Sequence, residues 1–395
     1  MKPRQYHPET EVVHLGEERR KNQGAVVPPI YQNSLFTFED WDDIDRAFDD
    51  RLNSCIYTRG LNPTVLAAEK KIAALAGGEK ARLFASGMAA VSAAVMHFLR
   101  TGSHVITINT LYGPTSNFIG RYLVEKMGIS VTFVSGEDPD EFREAVRDET
   151  SLIYLESPST AVYSMQDIEA VANLARERGI HTVIDNTWAT PLFQKPLEMG
   201  MDLEIHSCSK YLGGHSDIVA GAVIGKGEDI DAVSGAECQL LGAKMAPFEA
   251  WLLNRSLRTF PARMERHQSS AFKVAEYLEG QPGVRKVFYP GLPSFPQFEL
   301  GRRQMSGYSG LMSFELATES IDEVKRFVNS LQLFEIGVSW GGHESLVYAP
   351  AISYLKEMSA ERFAKMGISP GLIRISVGLE HPDDLTADLD RALRQ

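Results

Sequence analysis

Short apolar runs and helical patterns alternate between residues 61 and 255. The apolar runs predict strands at residues 104–109, 130–134, 152–156, 182–185, 203–207 and 219–224. Helical patterns separate most of these runs, and residues 66–75 interleave charged with apolar side chains as an amphipathic helix does. The expected architecture is an α/β fold with a mostly parallel sheet covered by helices.

The pattern changes after residue 255. A long helical stretch over residues 264–278 precedes strand patterns at residues 311–316 and 372–377. We therefore expect a smaller α+β C-terminal domain over residues 256–395, beside a large domain over residues 61–255.

Residues 1–60 are rich in turn formers and poor in periodicity. Such an arm more often wraps a neighbour than folds on itself. The arm therefore predicts a homo-oligomer whose subunits contact each other through it.

Composition narrows the class of protein. A chain of 395 residues is too long for one ordinary hydrophobic core, so two domains are expected. A net charge of −12 argues against a sequence-independent nucleic-acid binder. Three scattered cysteines form neither a disulfide framework nor a zinc site, so we predict no metal and a reducing, cytoplasmic location. No apolar run has the length of a membrane span or the character of a signal sequence, so neither secretion nor membrane insertion is expected.

Two serine hydroxyls and Lys210 lie beside a glycine-rich turn, in residues 206–215 (HSCSKYLGGH). Such a cluster could hold a phosphate and an aldehyde together. Pyridoxal 5′-phosphate (PLP) carries both groups, and a lysine that forms a Schiff base with it gains an electron sink. A surface turn is the alternative interpretation.

The preceding strand pattern ends abruptly in an acid, Asp185, within residues 179–188 (GIHTVIDNTW). Ligands of open α/β sheets lie at the carboxyl ends of strands. A carboxylate there could keep the pyridine nitrogen of PLP protonated, which improves the ring as a sink for negative charge. A polar strand end that caps the next element is the alternative.

Three further segments carry possible ligand contacts, each with an ordinary structural alternative. Residues 84–90 (FASGMAA) end a strand and open a helix, which forms an anion site or a plain helix start. Arg59 could grip a phosphate or lie in an exposed turn, and Tyr112 could stack on a planar cofactor or lie in the core.

Arg374 lies among apolar residues in the predicted strand at residues 372–377, after a glycine-bracketed loop at residues 337–345 (GVSWGGHES). A buried arginine is costly unless it is paired. A carboxylate ligand is one partner, and an internal Asp or Glu is the alternative.

These motifs, taken in order along nearly the whole chain, resemble the Cys/Met-metabolism family of PLP-dependent enzymes. The motifs that carry the resemblance are Tyr57-x-Arg59, Ser86-Gly87-Met88, Tyr112-Gly113, Asp185-Asn186-Thr187, Ser207-x-Ser209-Lys210-Tyr211 and Ser339-Trp340-Gly341-Gly342.

The resemblance implies a type I PLP-dependent fold, like that of aspartate aminotransferase, with PLP in the large domain and a homotetramer of two catalytic dimers. It identifies Lys210 as the Schiff-base lysine and Asp185 as the partner of the pyridine nitrogen. Tyr112 matches the ring that stacks on the cofactor and is expected to take part in catalysis.

The resemblance also assigns binding residues. The expected phosphate ligands are Ser86, Gly87, Met88, Ser207 and Ser209, joined by Tyr57 and Arg59 from the neighbouring subunit. The expected contacts of the amino-acid substrate are Tyr57, Ser339, Trp340 and Arg374.

Two departures indicate the subclass. Trp340 follows Ser339 where γ-type members commonly have leucine, and this looks like bacterial cystathionine β-lyase. Thr160 stands where γ-type members tend to place asparagine. Residues 62–64 (NPT) instead match the γ-type pattern.

The resemblance thus implies a carbon-sulfur lyase that cleaves cystathionine, or a related cysteine thioether, by β-elimination to homocysteine, pyruvate and ammonia. A γ-type member remains the alternative, whether cystathionine γ-lyase, methionine γ-lyase, cystathionine γ-synthase or O-acylhomoserine sulfhydrylase. A binding protein that keeps the fold without catalysis is the third possibility.

Overall fold

The computed structural model describes residues 6–357 and 368–395, which form two β-sheets with helices around them. The strands of the first sheet are β1 (Lys80–Phe84), β2 (His104–Ile108), β3 (Ser130–Val134), β4 (Thr150–Glu156), β5 (His181–Asp185), β6 (Leu203–Ser207) and β7 (Gly221–Gly225). The strands of the second are β8 (Val284–Phe288), β9 (Leu311–Leu316), β10 (Glu335–Ile336), β11 (Leu346–Tyr348) and β12 (Leu372–Ser376).

The first sheet has the order β1-β7-β6-β5-β4-β2-β3 and is mixed. Strands β6, β5, β4, β2 and β3 pair in parallel, whereas β7 runs antiparallel to both β6 and β1. The α/β prediction is confirmed, but β7 departs from the parallel direction. Its short apolar run predicts a strand and carries no information on the direction of its partners.

The helices of the described residues cover both sheets, and the first two lie in the N-terminal segment. They are α1 (Pro8–His14), α2 (Trp41–Asp49), α3 (Pro63–Ala76), α4 (Gly87–His97), α5 (Gly113–Asn117), α6 (Val124–Met127), α7 (Pro139–Ala145), α8 (Ile168–Arg178), α9 (Thr190–Phe193), α10 (Gly227–Val233), α11 (Gln239–Leu241), α12 (Pro247–Leu257), α13 (Phe260–Glu279), α14 (Phe298–Gln304), α15 (Ile321–Ser330), α16 (Ala351–Glu357) and α17 (Pro382–Leu393). Two π-helical turns, Phe118–Leu123 and Ser234–Cys238, continue α5 and α10.

The strands inside the first sheet are largely buried, because helices cover both faces of the sheet. All five residues of β2 and of β7 are buried. The valine and isoleucine side chains of β2, with Val223 of β7, pack in one cluster with those of α4 and α8, whereas Ala222 and Ile224 pack in another with those of α3. Burial on both faces explains why these strands appear in the sequence as continuous apolar runs without alternation.

The second sheet has the order β10-β11-β12-β9-β8. Strand β12 is antiparallel to β9 and to β11, and Arg374 lies opposite Ser313 and Tyr348. Helices α13, α15 and α17 pack on this sheet around a second cluster of buried apolar side chains. The limits of the two domains stay a prediction.

The N-terminal segment contains two helices that its weak periodicity did not indicate. Val12 of α1 is buried against the side chains of α3. Glu17 is also buried and pairs with Lys71 at 2.5 Å and with Arg258 at 3.1 Å, which ties the segment to α3 and to the end of α12. Trp41 of α2 is 80% exposed.

No described helix is long and apolar enough to cross a lipid bilayer.

Candidate active site

A cavity of about 480 Å³ opens where the carboxyl ends of β4, β5 and β6 meet the N-terminus of α4 and the loop at residues 337–345. Parallel strands bring their last residues to one edge of the sheet, and the topology therefore places these polar ends together. The predicted site residues that line this cavity are Ser86, Gly87, Met88, Tyr112, Asp185, Ser207, Ser209, Lys210, Ser339, Trp340 and Arg374.

Lys210 lies in a turn just after β6. Its Nζ donates a hydrogen bond to Ser339 Oγ at 2.7 Å and lies 5.5 Å from the centre of the Trp340 ring. Burial, assisted by the positive charge of Arg374 and opposed by Asp185, lowers the pKa of Lys210 to about 8. A substantial fraction of this amine is therefore neutral near physiological pH and can act as a nucleophile or a base.

Asp185 ends β5, as its position after an apolar run predicts. Thr187 donates to Asp185 Oδ1 from its backbone amide at 2.9 Å and from its hydroxyl. That hydroxyl also accepts the Ser207 amide at 2.9 Å, which links the ends of β5 and β6. Burial raises the pKa of Asp185, whereas the Thr187 hydrogen bonds and the charge of Lys210 oppose this rise and stabilise the carboxylate.

Glu156 is a second acid in the cavity wall, and the sequence analysis assigned it no role. It ends β4 directly opposite Asp185 of β5. Burial and the negative charge of Asp185 raise the pKa of Glu156 to about 8. The rule that identified Asp185, an acid at the end of an apolar strand, applies equally to Glu156 and could have found it.

The N-terminus of α4 forms an anion cradle. Ser86 caps the helix by accepting the Ala89 amide at 3.0 Å. In the described part of the chain, no acceptor contacts the amides of Gly87 and Met88, and both residues line the cavity. A helix N-terminus with free amides favours a phosphate.

Two serines from the other side complete the cradle. Ser207 lies so close to α4 that a Cβ on Gly87 would stand 2.9 Å from Ser207 Oγ. Ser209 is held by Ala220, whose amide donates to Ser209 Oγ at 3.0 Å. The glycine at residue 87 thus allows the close approach of the two segments.

Tyr112 lies just before α5, and 48% of its surface is exposed. Burial of the hydroxyl and the nearby charge of Glu156 raise its pKa, although Arg374 opposes this rise. The hydroxyl therefore stays protonated at neutral pH and can donate a hydrogen bond.

Arg374 reaches the cavity from β12. Its Nη2 donates to the carbonyls of Val338 at 2.7 Å and Ser339 at 3.3 Å, and its guanidinium lies 4.9 Å from the centre of the Tyr348 ring. These contacts hold the loop at residues 337–345 against the arginine. The guanidinium and the Ser339 hydroxyl together suit a carboxylate ligand.

Tyr57 and Arg59 do not line this cavity. They lie in a separate recess with Arg51 and Gln239, and the Arg59 guanidinium stands 5.6 Å from the centre of the Tyr57 ring. Tyr57 is 48% exposed. A single subunit therefore does not bring these two residues to the site.

Two further residues of the cavity wall escaped the sequence analysis. Ser216 donates from its hydroxyl to Glu344 Oε1 at 2.5 Å. Both lie in or beside glycine-rich segments already singled out by the sequence, but neither has a spacing that marks it as a ligand. Among the described residues, no group of His, Cys, Asp and Glu is arranged to hold a metal ion.

Comparison with known proteins agrees with this geometry. Residues 9–394 match the model of the Cys/Met metabolism PLP-dependent enzymes. The chain belongs to this family. The family match confirms the resemblance inferred from the sequence and identifies PLP as the cofactor.

Curated relatives span nearly the whole chain. L-methionine gamma-lyase of Pseudomonas putida is 41% identical over 98% of this chain and 96% of its own length. Cystathionine gamma-lyase of Dictyostelium discoideum is 38% identical over 99% of this chain and 98% of its own length. Cystathionine beta-lyase of Coxiella burnetii is 38% identical over 98% of both chains. The family and these relatives identify a PLP-dependent lyase of Cys/Met metabolism.

The residues of the cavity fit PLP. Free amides at the start of α4 suit its phosphate, and the partly neutral amine of Lys210 suits its aldehyde. Asp185, whose carboxyl group accepts two hydrogen bonds from Thr187, suits a protonated ring nitrogen.

Proposed function

We propose that this protein cleaves cystathionine, or a related cysteine thioether, by β-elimination to homocysteine, pyruvate and ammonia. The observation that carries the proposal is the environment of Lys210, whose Nζ lies between the Ser339 hydroxyl and the Trp340 ring. Trp340 is itself held by Tyr211, with the ring centres 5.4 Å apart.

A base restrained in this way is suited to one proton transfer. β-Elimination needs one proton removed, from Cα, before sulfur leaves Cβ. γ-Elimination needs a further proton removed from Cβ, so the base must serve two carbon atoms. The bulk of Trp340 beside Nζ favours the simpler reaction.

When bound, PLP supplies an electron sink for the negative charge that forms at Cα. Lys210 takes up the Cα proton, and its lowered pKa matches that task near neutral pH. Asp185 would stabilise a proton on the ring nitrogen. Ser86, Gly87, Met88, Ser207 and Ser209 would hold the phosphate.

Arg374 and Ser339 hold the α-carboxylate of the substrate and so orient the Cα–H bond toward Lys210. Trp340 packs against the substrate on the same side. Tyr112, protonated at neutral pH, covers the cofactor ring and is placed to donate a hydrogen bond or a proton during the reaction.

We further propose the type I PLP-dependent fold and a homotetramer of two catalytic dimers. Tyr57 and Arg59, which line a recess away from the cavity, would then reach the phosphate and substrate of the neighbouring subunit. Exposed apolar side chains near this recess, Leu240 at 81% and Leu241 at 61%, support a subunit interface there. A cytoplasmic location belongs to the same proposal, and the three cysteines are free thiols.

A γ-lyase is the second candidate, because methionine gamma-lyases are among the similar relatives. The γ-like residues 62–64 carry little weight for it. Asn62 caps α3 by accepting the Thr64 amide at 3.0 Å and donates to the Tyr31 carbonyl at 2.9 Å. Helix capping explains this motif in either subclass.

The test is the product formed from cystathionine alone by the purified, PLP-saturated enzyme. Pyruvate supports β-elimination, 2-oxobutyrate supports a γ-lyase, and turnover only with O-acylhomoserine supports a transferase. Lys210→Ala is the control and is expected to abolish nearly all turnover. Substantial activity of Lys210→Ala would contradict the role of this lysine.

A further inference from the structure

Glu156 connects two loops of the cavity wall. Its Oε2 accepts the backbone amide of Tyr112 at 2.7 Å, and its Oε1 accepts the Thr160 hydroxyl at 2.6 Å. Both oxygens of the carboxyl group are therefore used, one on each loop.

Tyr112 depends on this contact for its position. It precedes α5 as the N-cap residue, and its side chain makes no capping hydrogen bond. Half of its surface is exposed. Side-chain packing therefore restrains the ring weakly, and the anchored backbone amide carries much of the restraint.

Thr160 in turn restrains Glu156. The Thr160 amide donates to the Thr110 carbonyl at 3.0 Å, which fixes the threonine beside the loop that leads to Tyr112. Its hydroxyl then sets the rotamer of Glu156 by occupying Oε1. Removing the hydroxyl leaves Oε1 of a buried carboxyl group without this partner, which costs free energy. A rotamer of Glu156 that finds another partner for Oε1 then becomes accessible.

We infer that Thr160 and Glu156 are positioning residues that set where the Tyr112 ring stands over the cofactor. The inference rests on the proposed placement of Tyr112 against PLP. This chain has Thr160 where γ-type members tend to place asparagine. The two hydrogen bonds of Glu156 connect that difference to Tyr112 and so to the reaction. Neither residue needs to touch the substrate for this effect.

Thr160→Val removes the hydroxyl at nearly constant volume, and Glu156→Ala removes the acceptor of the Tyr112 amide. In the PLP-saturated enzyme, hydrogen exchange at the Tyr112 amide should quicken about fivefold in Thr160→Val and about tenfold or more in Glu156→Ala. The visible circular dichroism of the bound cofactor should change in both. kcat should fall at least about tenfold, with a smaller change in KM.

Three variants serve as controls. Thr160→Ser keeps the hydroxyl and should restore wild-type exchange and dichroism. Thr182→Val removes another threonine-to-carboxylate hydrogen bond, to Asp202 at 2.9 Å, and Asp388→Ala removes another buried acid that accepts backbone amides. Neither should alter exchange at Tyr112 or the dichroism of the cofactor.

The inference is wrong if Thr160→Val and Glu156→Ala behave as their matched controls do, or if Thr160→Ser shows the same change as Thr160→Val. Because Thr160 is only partly buried, its two variants are expected to fold even if Glu156→Ala does not. Exchange and dichroism require bound cofactor but no particular product. A wild-type enzyme that forms 2-oxobutyrate would therefore refute the proposed function and leave this test intact.

Discussion

Lys210 combines a lowered pKa with a fixed position of its Nζ. Its neighbours in the sequence predicted a reactive lysine, because hydroxyls and glycines surround it. They could not predict that Ser339 and Trp340, far along the chain, hold its Nζ. Such contacts depend on how two sheets are joined, which a local pattern does not contain.

The pKa of Lys210 leads to a prediction that needs no cofactor. A lysine with a pKa of about 8 is half neutral at pH 8, whereas an ordinary lysine is less than about a hundredth neutral there. In the apo-protein, acetylation of Lys210 by acetic anhydride should rise with pH to a plateau with a midpoint near 8. Mass spectrometry of the labelled peptides measures this. A midpoint for Lys210 at about 10, the range of an ordinary lysine, would contradict the environment described here.

Asp185 and Glu156 show how far individual site residues could be predicted from the sequence. Both end buried strands, but the sequence predicts a role for Asp185 alone, because a lysine follows one strand later. The pairing of the two acids across β4 and β5 requires the register of the sheet. That register places Asp185 beside Glu156, where its negative charge contributes to the raised pKa of Glu156.

At the scale of elements, the approach of β6 to α4 defines the phosphate cradle. The strand-to-helix transition at residues 84–90 was predicted from the sequence. The need for glycine at residue 87 was not, because it comes from Ser207 on another strand.

Gly87→Ala tests this approach. The new Cβ would lie 2.9 Å from Ser207 Oγ and 3.0 Å from Ser207 Cβ, so one segment must shift. We expect the affinity for PLP to fall about tenfold or more, measured by titration of the apo-protein. Gly283→Ala is the matched control, because its Cβ meets only Leu393 at 3.6 Å. Equal PLP affinity of the two variants would refute the cradle.

The strands themselves show which elements a sequence can predict. The short apolar runs predicted β2 to within one residue and β6 with the bounds that the structure has. The short strands β10 and β11 were not found, because two or three residues carry no periodicity. The direction of β7 was not found, because an apolar run carries no information on the direction of its partners.

At the scale of the whole molecule, the position of Tyr57 and Arg59 outside the cavity requires a second subunit if they act on the phosphate. The turn-rich N-terminal segment predicted such a contact. Its two helices and its buried Glu17 show that the segment is also anchored within its own subunit.

Subunit mixing tests the sharing of the site. Arg59→Ala and Lys210→Ala should each be nearly inactive alone. A hybrid dimer has one site with both substitutions and one with neither, if Arg59 serves the neighbouring subunit. Random mixing should then restore up to about a quarter of wild-type activity. If verified hybrids recover no activity, Arg59 does not act in the active site of the neighbouring subunit.

We propose that Lys210, held between Ser339 and Trp340, performs β-elimination. The most direct measurement quantifies both keto acids released from cystathionine by the PLP-saturated wild-type enzyme. We predict pyruvate and homocysteine in equal amounts, with little 2-oxobutyrate. Release of 2-oxobutyrate and cysteine as the main products would show that the enzyme performs γ-elimination instead.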